Sequence, residues 1–276
     1  MREKLWLLFR RSTLLRRLYA LRAFALPMRV ATYLLVPSSS RKRVRVQRGS
    51  AKGLLLEVDP RWEHTAWDGS YEPEALDAYL KLVKPGMLVF DVGGGIGFYA
   101  LVAARAGANV VAFEPDPENA RSFAEHVTIN GLEERIHIIH QAVYSHTGHI
   151  TLAVSEGASA HRNASVSADR PSTRSGFEVA CTTLDDYVGS NVGPGLVKMD
   201  VEGAESDVLR GADRTIRVYR PVLLCEIHDG QNAQFVQDWL RERDYDYLWL
   251  EGEASFPKHL LSSPRERSRS SLGQND

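Results

Sequence analysis

Val89-Phe90-Asp91-Val92-Gly93-Gly94-Gly95-Ile96-Gly97-Phe98-Tyr99 runs from an apolar segment through an aspartate into a glycine cluster. That order reads as a buried strand turning sharply into a helix. Gly93, Gly95 and Gly97 lack a Cβ, so the main chain can take positive φ there and a ligand can approach backbone N–H groups at the helix N-terminus. The stretch predicts a nucleotide-binding turn. Its spacing departs from the dinucleotide fingerprint G-x-G-x-x-G, which needs a glycine where Phe98 stands.

Downstream the pattern continues as strand, helix, strand, helix, which predicts an α/β domain with a largely parallel sheet. Met87–Asp91 is the first strand, Phe98–Arg105 a helix and Ala108–Phe113 the second strand, ending at Glu114-Pro115-Asp116. A carboxylate at that strand end, about twenty residues past the glycines, is where nucleotide-binding α/β folds accept hydrogen bonds from ribose hydroxyls. Glu114 is therefore the strongest single binding candidate. A helix follows at Pro117–Asn130 and a third strand at Ile136–Ile139, which puts His140, Gln141 and Ala142 at the rim of a cofactor pocket. Gly148–Val154 and Phe177–Thr182 read as further strands, flanking a long polar loop, Ser155–Gly176, that suits a lid, a binding loop or disorder.

The second informative stretch is Gly195-Leu196-Val197-Lys198-Met199-Asp200-Val201-Glu202-Gly203-Ala204-Glu205. Its apolar residues predict a buried strand, and Asp200, Glu202 and Glu205 crowd three carboxylates around the turn that follows. Such crowding raises the pKa of at least one acid or invites a cation, although a helix N-terminus also accepts acids in its first turn. A helix at Ser206–Tyr219 leads to a strand at Pro221–Ile227 that ends in Glu226-Ile227-His228-Asp229. By alternation Glu226 and His228 share a side, facing Lys198 and Asp200 if the two strands are neighbours. His228 is then a candidate general base. Asn232–Arg243 reads as an amphipathic helix, Tyr245–Leu250 as the last strand, and Ser262–Asp276, rich in Ser and Arg, as a disordered tail.

Upstream, basic residues between Met1 and Ser50 face a single acid, Glu3, although the whole chain of 276 residues has a net charge of −1. A basic arm thus precedes an acidic body. Glu3–Phe24 predicts a helix, but its arginines and leucines do not separate into clean faces, which favours packing on its own domain or a partner over a membrane surface. No nucleic-acid reader accompanies the charge, so nucleic acid is not expected as a partner. Residues 1–37 form the expected arm. Residues 38–73 form a short β extension, with strands around Val44–Val46 and Leu54–Val58, followed by a polar-aromatic loop holding Trp62, His64, Trp67, Asp68, Tyr71 and Glu72 that could cover a ligand. Residues 74–261 form the main domain, opening with a helix at Glu74–Val83. Arginines interrupt each N-terminal apolar stretch before it reaches signal-peptide or membrane-spanning length, and Cys181 and Cys225 lie in strand-like runs without metal or disulfide spacing. A cytoplasmic protein is expected, with peripheral membrane contact through the arm as the variant reading.

Tyr71-Glu72-Pro73, the Asp91 to Tyr99 turn, Glu114-Pro115, Thr183-Leu184-Asp185, the Lys198 to Glu205 stretch and Leu224-Cys225-Glu226-Ile227-His228 together resemble the FkbM family of S-adenosylmethionine (SAM)-dependent methyltransferases. The D-V-G-x-G-x-G spacing agrees with a SAM site. The resemblance covers roughly Trp67 to Leu250. It implies a Rossmann-like, seven-stranded class I methyltransferase sheet with flanking helices, here behind an N-terminal helical and β extension. It also implies methyl transfer to hydroxyls of sugars, glycans, polyketides or other natural products. On that resemblance Asp91 and the glycine turn hold the methionine portion of SAM and Glu114 takes the ribose.

The full expected cofactor set is Tyr71, Glu72, Asp91, Gly93, Gly95, Gly97, Phe98, Glu114, Pro115, Gln141, Ala142 and Asp200. The expected catalytic set is Asp200, Glu202, Glu226 and His228, with Asp200 or His228 as proton acceptor. Asp200, Glu202 and Glu205 are candidate ligands for a divalent metal. A small-molecule or glycan acceptor is the expected partner. The rival readings are a catalytically silent SAM-binding or membrane-docked scaffold module, and a nicotinamide-dependent oxidoreductase, against which the residue at Phe98 argues.

Overall fold

The computed structural model describes residues 41–59, 64–154, 164–166, 176–189, 192–252 and 255–265. The expectations for the basic arm, for Trp62, for most of the 155–176 loop and for residues beyond 265 lie outside them. The chain divides into two compact units, with the boundary between Pro73 and Glu74.

In the first unit β1 (Lys42–Arg45) and β2 (Leu55–Val58) pair antiparallel, Lys42 opposite Val58. Alternation puts Val44, Leu56 and Val58 inward, where they are buried with Leu54 and Trp67. The short helix α1 (His64–Asp68) closes the unit: Gln47 N–H donates to Trp67 O at 3.2 Å, and Arg48 donates to the Asp68 carbonyl at 3.1 Å. The polar-aromatic segment expected as a loop is thus partly helical.

The second unit is built on a seven-stranded sheet. Its strands are β3 (Leu88–Val92), β4 (Asn109–Phe113), β5 (Ile136–Ile139), β10 (Leu196–Met199), β11 (Val222–Ile227), β12 (Tyr245–Trp249) and β13 (Lys258–Pro264), in the order β12-β13-β11-β10-β3-β4-β5. The intervening strands β6 to β9 form a separate sheet. β3, β4, β5, β10 and β11 are mutually parallel, and β13 runs antiparallel to both its neighbours. Central parallel strands are covered on both faces and so are apolar along their length; every residue of β10 is buried.

Helices α2 (Pro73–Leu82), α3 (Phe98–Arg105), α4 (Pro117–Asn130), α5 (Leu184–Val188), α6 (Glu205–Arg210), α7 (Asp213–Tyr219) and α8 (Gly230–Arg241) supply the cover. Phe90, Val92, Val197, Met199 and Leu223 of the sheet pack with Leu184, Val208, Leu209, Ile216, Val236 and Leu240 of the helices. α4 shows why its boundaries fall where the sequence places them: Asp116 accepts from the Glu118 and Asn119 amides, Pro117 opens the helix, and Gly131 ends it at φ 65°. This is the seven-stranded sheet with flanking helices that the resemblance implies, and the glycine turn follows its inner strand β3.

Four local expectations change. The strand at Tyr245 is not the last, because β13 follows it and inserts between β12 and β11. β13 also runs to Pro264, three residues into the stretch read as disordered tail, and Ser262 is buried between its two partner strands. The helix read at Ser206–Tyr219 is two helices, broken at Gly211-Ala212. A Cβ on Gly211 would stand 2.1 Å from Tyr144 O, and Asp185 caps the second piece by accepting from the Arg214 and Thr215 amides at 2.9 and 2.7 Å. Finally, the long loop contains β8 (Ala164–Val166), which joins β6 (Ala142–Val143), β7 (Gly148–Val154) and β9 (Gly176–Thr182) in a second sheet of order β6-β9-β7-β8.

Both cysteines are free and buried, and burial pushes the Cys225 thiol up to about 12, so it packs as an apolar side chain. No helix among the described residues is long and apolar enough to cross a membrane.

A chain ended after Leu261 loses the Ser262–Pro264 pairing with β11 and β12, including Tyr245 opposite Pro264, and the 2.7 Å Arg265–Asp246 ion pair. Compared with a chain ended after Arg265, its midpoint of thermal unfolding is expected to fall by roughly 5 °C, corresponding to about 2 kcal/mol. Equal midpoints would mean that this half of β13 contributes nothing.

Candidate active site

The glycine turn is anchored by two amides: Gly93 and Gly94 N–H both donate to Phe113 O, at 3.0 and 2.9 Å. Each of its positive-φ glycines has a different reason to be there. A Cβ on Gly93 (φ 76°) would lie 1.7 Å from the Asp200 carbonyl oxygen, and one on Gly97 (φ 87°) 2.2 Å from the Phe123 ring. Gly95 (φ 54°) has nothing within 4 Å in that direction. Two glycines therefore serve packing, and the third leaves open space above the turn.

Glu114 sits against that space. Its Oε2 accepts from the Gly95 amide at 2.6 Å and its Oε1 from the Asp116 amide at 2.9 Å. The Asn119 side chain also donates to this carboxylate, which leaves about one of its four lone pairs for a ligand hydroxyl. Burial raises the Glu114 pKa to about 7, against the pull of the two amides.

Asp91 is placed differently from the expectation. Its side chain has no exposed surface, and its Oδ1 lies 3.6 Å from the Lys198 ammonium. Neither oxygen meets a donor at ordinary hydrogen-bonding geometry, so Lys198 and the Ala100 amide act on it through space. Burial raises its pKa and Lys198 opposes the rise. Asp91 thus stands fully buried at the end of β3, paired with Lys198 below the turn. Lys198 also reaches the Gly93 carbonyl and Asp200 Oδ2, both at 3.4 Å, and lies 4.9 Å over the Tyr99 ring.

The acidic turn and the end of β11 converge as the alternation requires. His228 Nδ1 donates to Glu205 Oε1 at 2.7 Å, while its Nε2 lies 3.7 Å from Asp200 Oδ1 and 3.4 Å from Glu202 Oε2. One ligand atom each from Asp200, Glu226 and His228 falls within 4.8 Å of the others. Glu202 stands at φ 52°, an unfavourable left-handed conformation for a side-chain-bearing residue, held by the turn.

Burial disfavours the imidazolium, but the Glu205 hydrogen bond with the Asp200 and Glu202 charges outweighs it and raises the His228 pKa to about 9. These acids favour the imidazolium, so of the two expected proton acceptors the site favours a carboxylate over His228. Burial, then Asp200, raises the Glu202 pKa. Glu205, grouped above with the cation ligands, is fully buried and turned onto His228 and the Gly203 amide.

Of the remaining expected cofactor residues, Phe98 is buried as the first residue of α3, and Pro115 is half-buried next to Glu114. Gln141 is half-buried where the chain leaves β5, and Ala142 begins β6. The backbone joins these regions, with Glu114 N–H donating to Ile139 O at 3.0 Å. Tyr71 and Glu72 belong to the first unit, Glu72 at φ 39°.

Two participants escaped the sequence reading. Lys198 was visible as a lysine inside an apolar strand, and its register opposite Asp91 is what gives it a partner. His259 was hidden because β13 was not recognised. It stands opposite Glu226 in the ladder, with Nε2 4.0 Å from that carboxylate and Nδ1 2.6 Å from Glu251.

The Methyltransferase FkbM domain matches residues 91–247, more than half of the chain and the span that holds both the glycine turn and the acid–histidine cluster. The chain belongs to the FkbM methyltransferase family. Such a domain is SAM-dependent, so the nicotinamide reading falls. Among curated relatives, hexuronic acid methyltransferase AglP of Haloferax volcanii is 27% identical over 70% of this chain and 77% of its own. The 2-O-methyltransferase NoeI of Sinorhizobium fredii is 27% identical over 68% of this chain and 86% of its own. Ribosomal protein L11 methyltransferase of Carboxydothermus hydrogenoformans is 30% identical over 41% of this chain, which spans only 36% of that relative. A crystal structure of an FkbM methyltransferase from Methylobacillus flagellatus covers 68% of this chain and 50% of its own at 17% identity and a TM-score of 0.48.

The FkbM turn separates two kinds of glycine. Gly93→Ala forces a contact with Asp200 O in a left-handed backbone and is expected to lower stability by roughly 3 kcal/mol. Gly95→Ala meets no atom of the described residues, should cost about 1 kcal/mol for its φ, and should instead weaken S-adenosylhomocysteine binding. Thermal unfolding and calorimetric titration of both variants check this; equal stability losses would refute the division.

Proposed function

We propose that this FkbM domain transfers a methyl group from SAM to a hydroxyl of a sugar, glycan or polyketide-type acceptor. The observation that carries the reading is the contact between the two halves of the site: the Asp200 carbonyl rests against Gly93, so the acid–histidine cluster begins beside the first residue of the glycine turn. The AglP match supports a sugar-acid class of acceptor and the NoeI match an oxygen target, because both span more than two thirds of both chains, whereas the L11 match spans well under half of either.

The residues fit SAM. Open space over Gly95 admits a ligand to the turn, and Glu114 offers an acceptor lone pair at the end of β4, where a ribose would lie. Phe98, Pro115, Gln141 and Ala142 complete the proposed cofactor side within this unit. When bound, SAM supplies an already activated methyl on its sulfonium, so the chain's task is to align the acceptor oxygen and remove its proton. Asp200 or Glu202, at 3.7 and 3.4 Å from His228 Nε2, takes that proton. The His228 imidazolium, held by Glu205, steadies their charge, and Glu226 orients the acceptor.

The raised Glu114 pKa gives the cofactor side a pH signature. A folded-state pKa of about 7, above the ordinary glutamate range, means that stability from this group is present at low pH and is lost as pH rises through about 7. A ribose hydroxyl donates to the ionised form, so binding lowers that pKa and releases a proton. S-adenosylhomocysteine affinity is therefore expected to rise severalfold between pH 5.5 and 7.5 in wild-type protein, and Glu114→Ala should bind at least tenfold more weakly without that slope. A pH-independent wild-type affinity would sink the assignment.

On the acceptor side, Asp200→Asn and Glu202→Gln should each lower turnover of labelled SAM onto hydroxyl acceptors tenfold or more, with S-adenosylhomocysteine affinity nearly intact. Transfer to peptides in place of glycosides would overturn the acceptor class. Intact cofactor binding with no transfer to any acceptor would favour the silent-module reading.

A further inference from the structure

We propose that Asp200, Glu226 and His228 form a binding site for one divalent cation of the Mn2+ class at the C-terminal ends of β10 and β11. The three residues come from two adjacent strand ends, and one donor atom of each lies within 4.8 Å of the others, with His228 Nε2 3.7 Å from Asp200 Oδ1. Around a cation bound at about 2.1 Å, ligand atoms sit roughly 3 Å apart when adjacent and 4.2 Å when opposite. Small side-chain rotations bring these donors into range.

The mixture of two carboxylates and one imidazole suits a cation that accepts both oxygen and nitrogen, and three protein ligands leave positions open for an incoming molecule. The imidazole is prepared for the task. Its Nδ1 is held at 2.7 Å by Glu205, which fixes the ring and directs Nε2 toward Asp200, the outer-shell arrangement that supports metal-bound histidines.

Glu205 gives a second observation. It is fully buried, and its Oε2 has no hydrogen-bond partner among the described residues. A buried carboxylate oxygen left unsatisfied beside the imidazole is negative charge that a bound cation would compensate. The other cations nearby have further commitments: Lys198 lies between Asp91 and Asp200, and His259 pairs with Glu251 while approaching Glu226 at 4.0 Å.

The set differs from the sequence expectation of Asp200, Glu202 and Glu205. Glu205 moves behind the histidine, and Glu226 and His228 replace the two glutamates. Cation binding displaces one proton from His228 Nε2 and leaves Glu202 as the carboxylate that receives the acceptor's proton. The consequence for chemistry rests on the methyl-transfer reading: acceptor oxygens would fill the open positions, and the cation would lower the hydroxyl pKa.

The test measures binding alone. Full-length protein stripped with EDTA is titrated with Mn2+, and the free aqueous ion is followed by electron paramagnetic resonance. The expected result is one Mn2+ bound per chain in the micromolar range. Glu226→Gln and His228→Gln should each weaken binding tenfold or more, and Glu205→Gln roughly tenfold or more through its hold on the imidazole. A free-ion signal that follows added Mn2+ in cooperatively folded wild-type protein would overturn the site, as would undiminished binding by folded Glu226→Gln. S-adenosylhomocysteine titrated into the same samples keeps the two readings apart: cofactor binding without Mn2+ binding removes only the cation site, and Mn2+ binding without cofactor binding removes only the cofactor reading.

Discussion

The buried ion pair between Asp91 of β3 and Lys198 of β10 is the constraint on which the site depends. The two residues stand opposite each other in the parallel register, 3.6 Å apart and almost wholly out of solvent. Removing one partner of such a pair typically costs about 3–5 kcal/mol because the other charge is left buried and uncompensated. Here the pair also has a geometric role. The same ammonium reaches the Gly93 carbonyl and Asp200, so one cation ties the end of the cofactor strand to the start of the acidic turn. The missing Cβ at Gly93 then lets the turn close onto the Asp200 carbonyl. Charge sets the register of the two motifs, and a glycine sets their separation.

Around this junction the protein holds acids in contrasting environments, which is how similar side chains acquire different tasks. Glu114 is buried and bonded by two amides, with its pKa raised to about 7, so its ionisation is sensitive to a ligand that donates hydrogen bonds. Glu202 is more exposed, on a strained turn, with its pKa raised by burial and by Asp200. Glu205 is fully buried and spent on positioning His228. The net result is a polar cluster in which the half-buried Asp200 and Glu202 both lie beside an imidazole that its acidic neighbours hold toward the protonated form. Open α/β sheets place such groups at strand C-termini because side chains there project beyond the covering helices.

Much of this was legible in the sequence where a local pattern determines the outcome. The glycine turn, Glu114 at the end of β4, the capped helix at Pro117–Asn130 and the pairing of the Asp200 and Glu226 strands all follow from periodicity, caps and neighbour rules. The failures share a different cause. β13 reads Lys258-His259-Leu260-Leu261-Ser262-Ser263-Pro264, and nothing local marks it as a strand flanked on both sides. The break at Gly211 is set by the Tyr144 carbonyl, far away in the chain. The protonation of His228 depends on acids from another strand end, and the burial of Asp91 on a lysine 107 positions later. Patterns fixed the elements; long-range charge and contact fixed the roles.

β13 shows why that distinction matters for the chemistry. Without it β11 would be an edge strand, and Glu226 would face solvent with the freedom of an exposed carboxylate. With it, β11 is paired to β10 on one side and β13 on the other, and His259 lies directly opposite Glu226 in the ladder. His259 is itself fastened by Glu251, which accepts from both its ring and its backbone amide. The Asp200 and Glu226 carboxylates thus lie beside two histidine–carboxylate pairs, His228 with Glu205 and His259 with Glu251. Two imidazoles fixed through their Nδ1 atoms turn their Nε2 atoms toward the same group of carboxylates. That arrangement limits the motion of Asp200 and Glu226 before any ligand arrives, and it comes from the one strand that runs against the direction of the sheet.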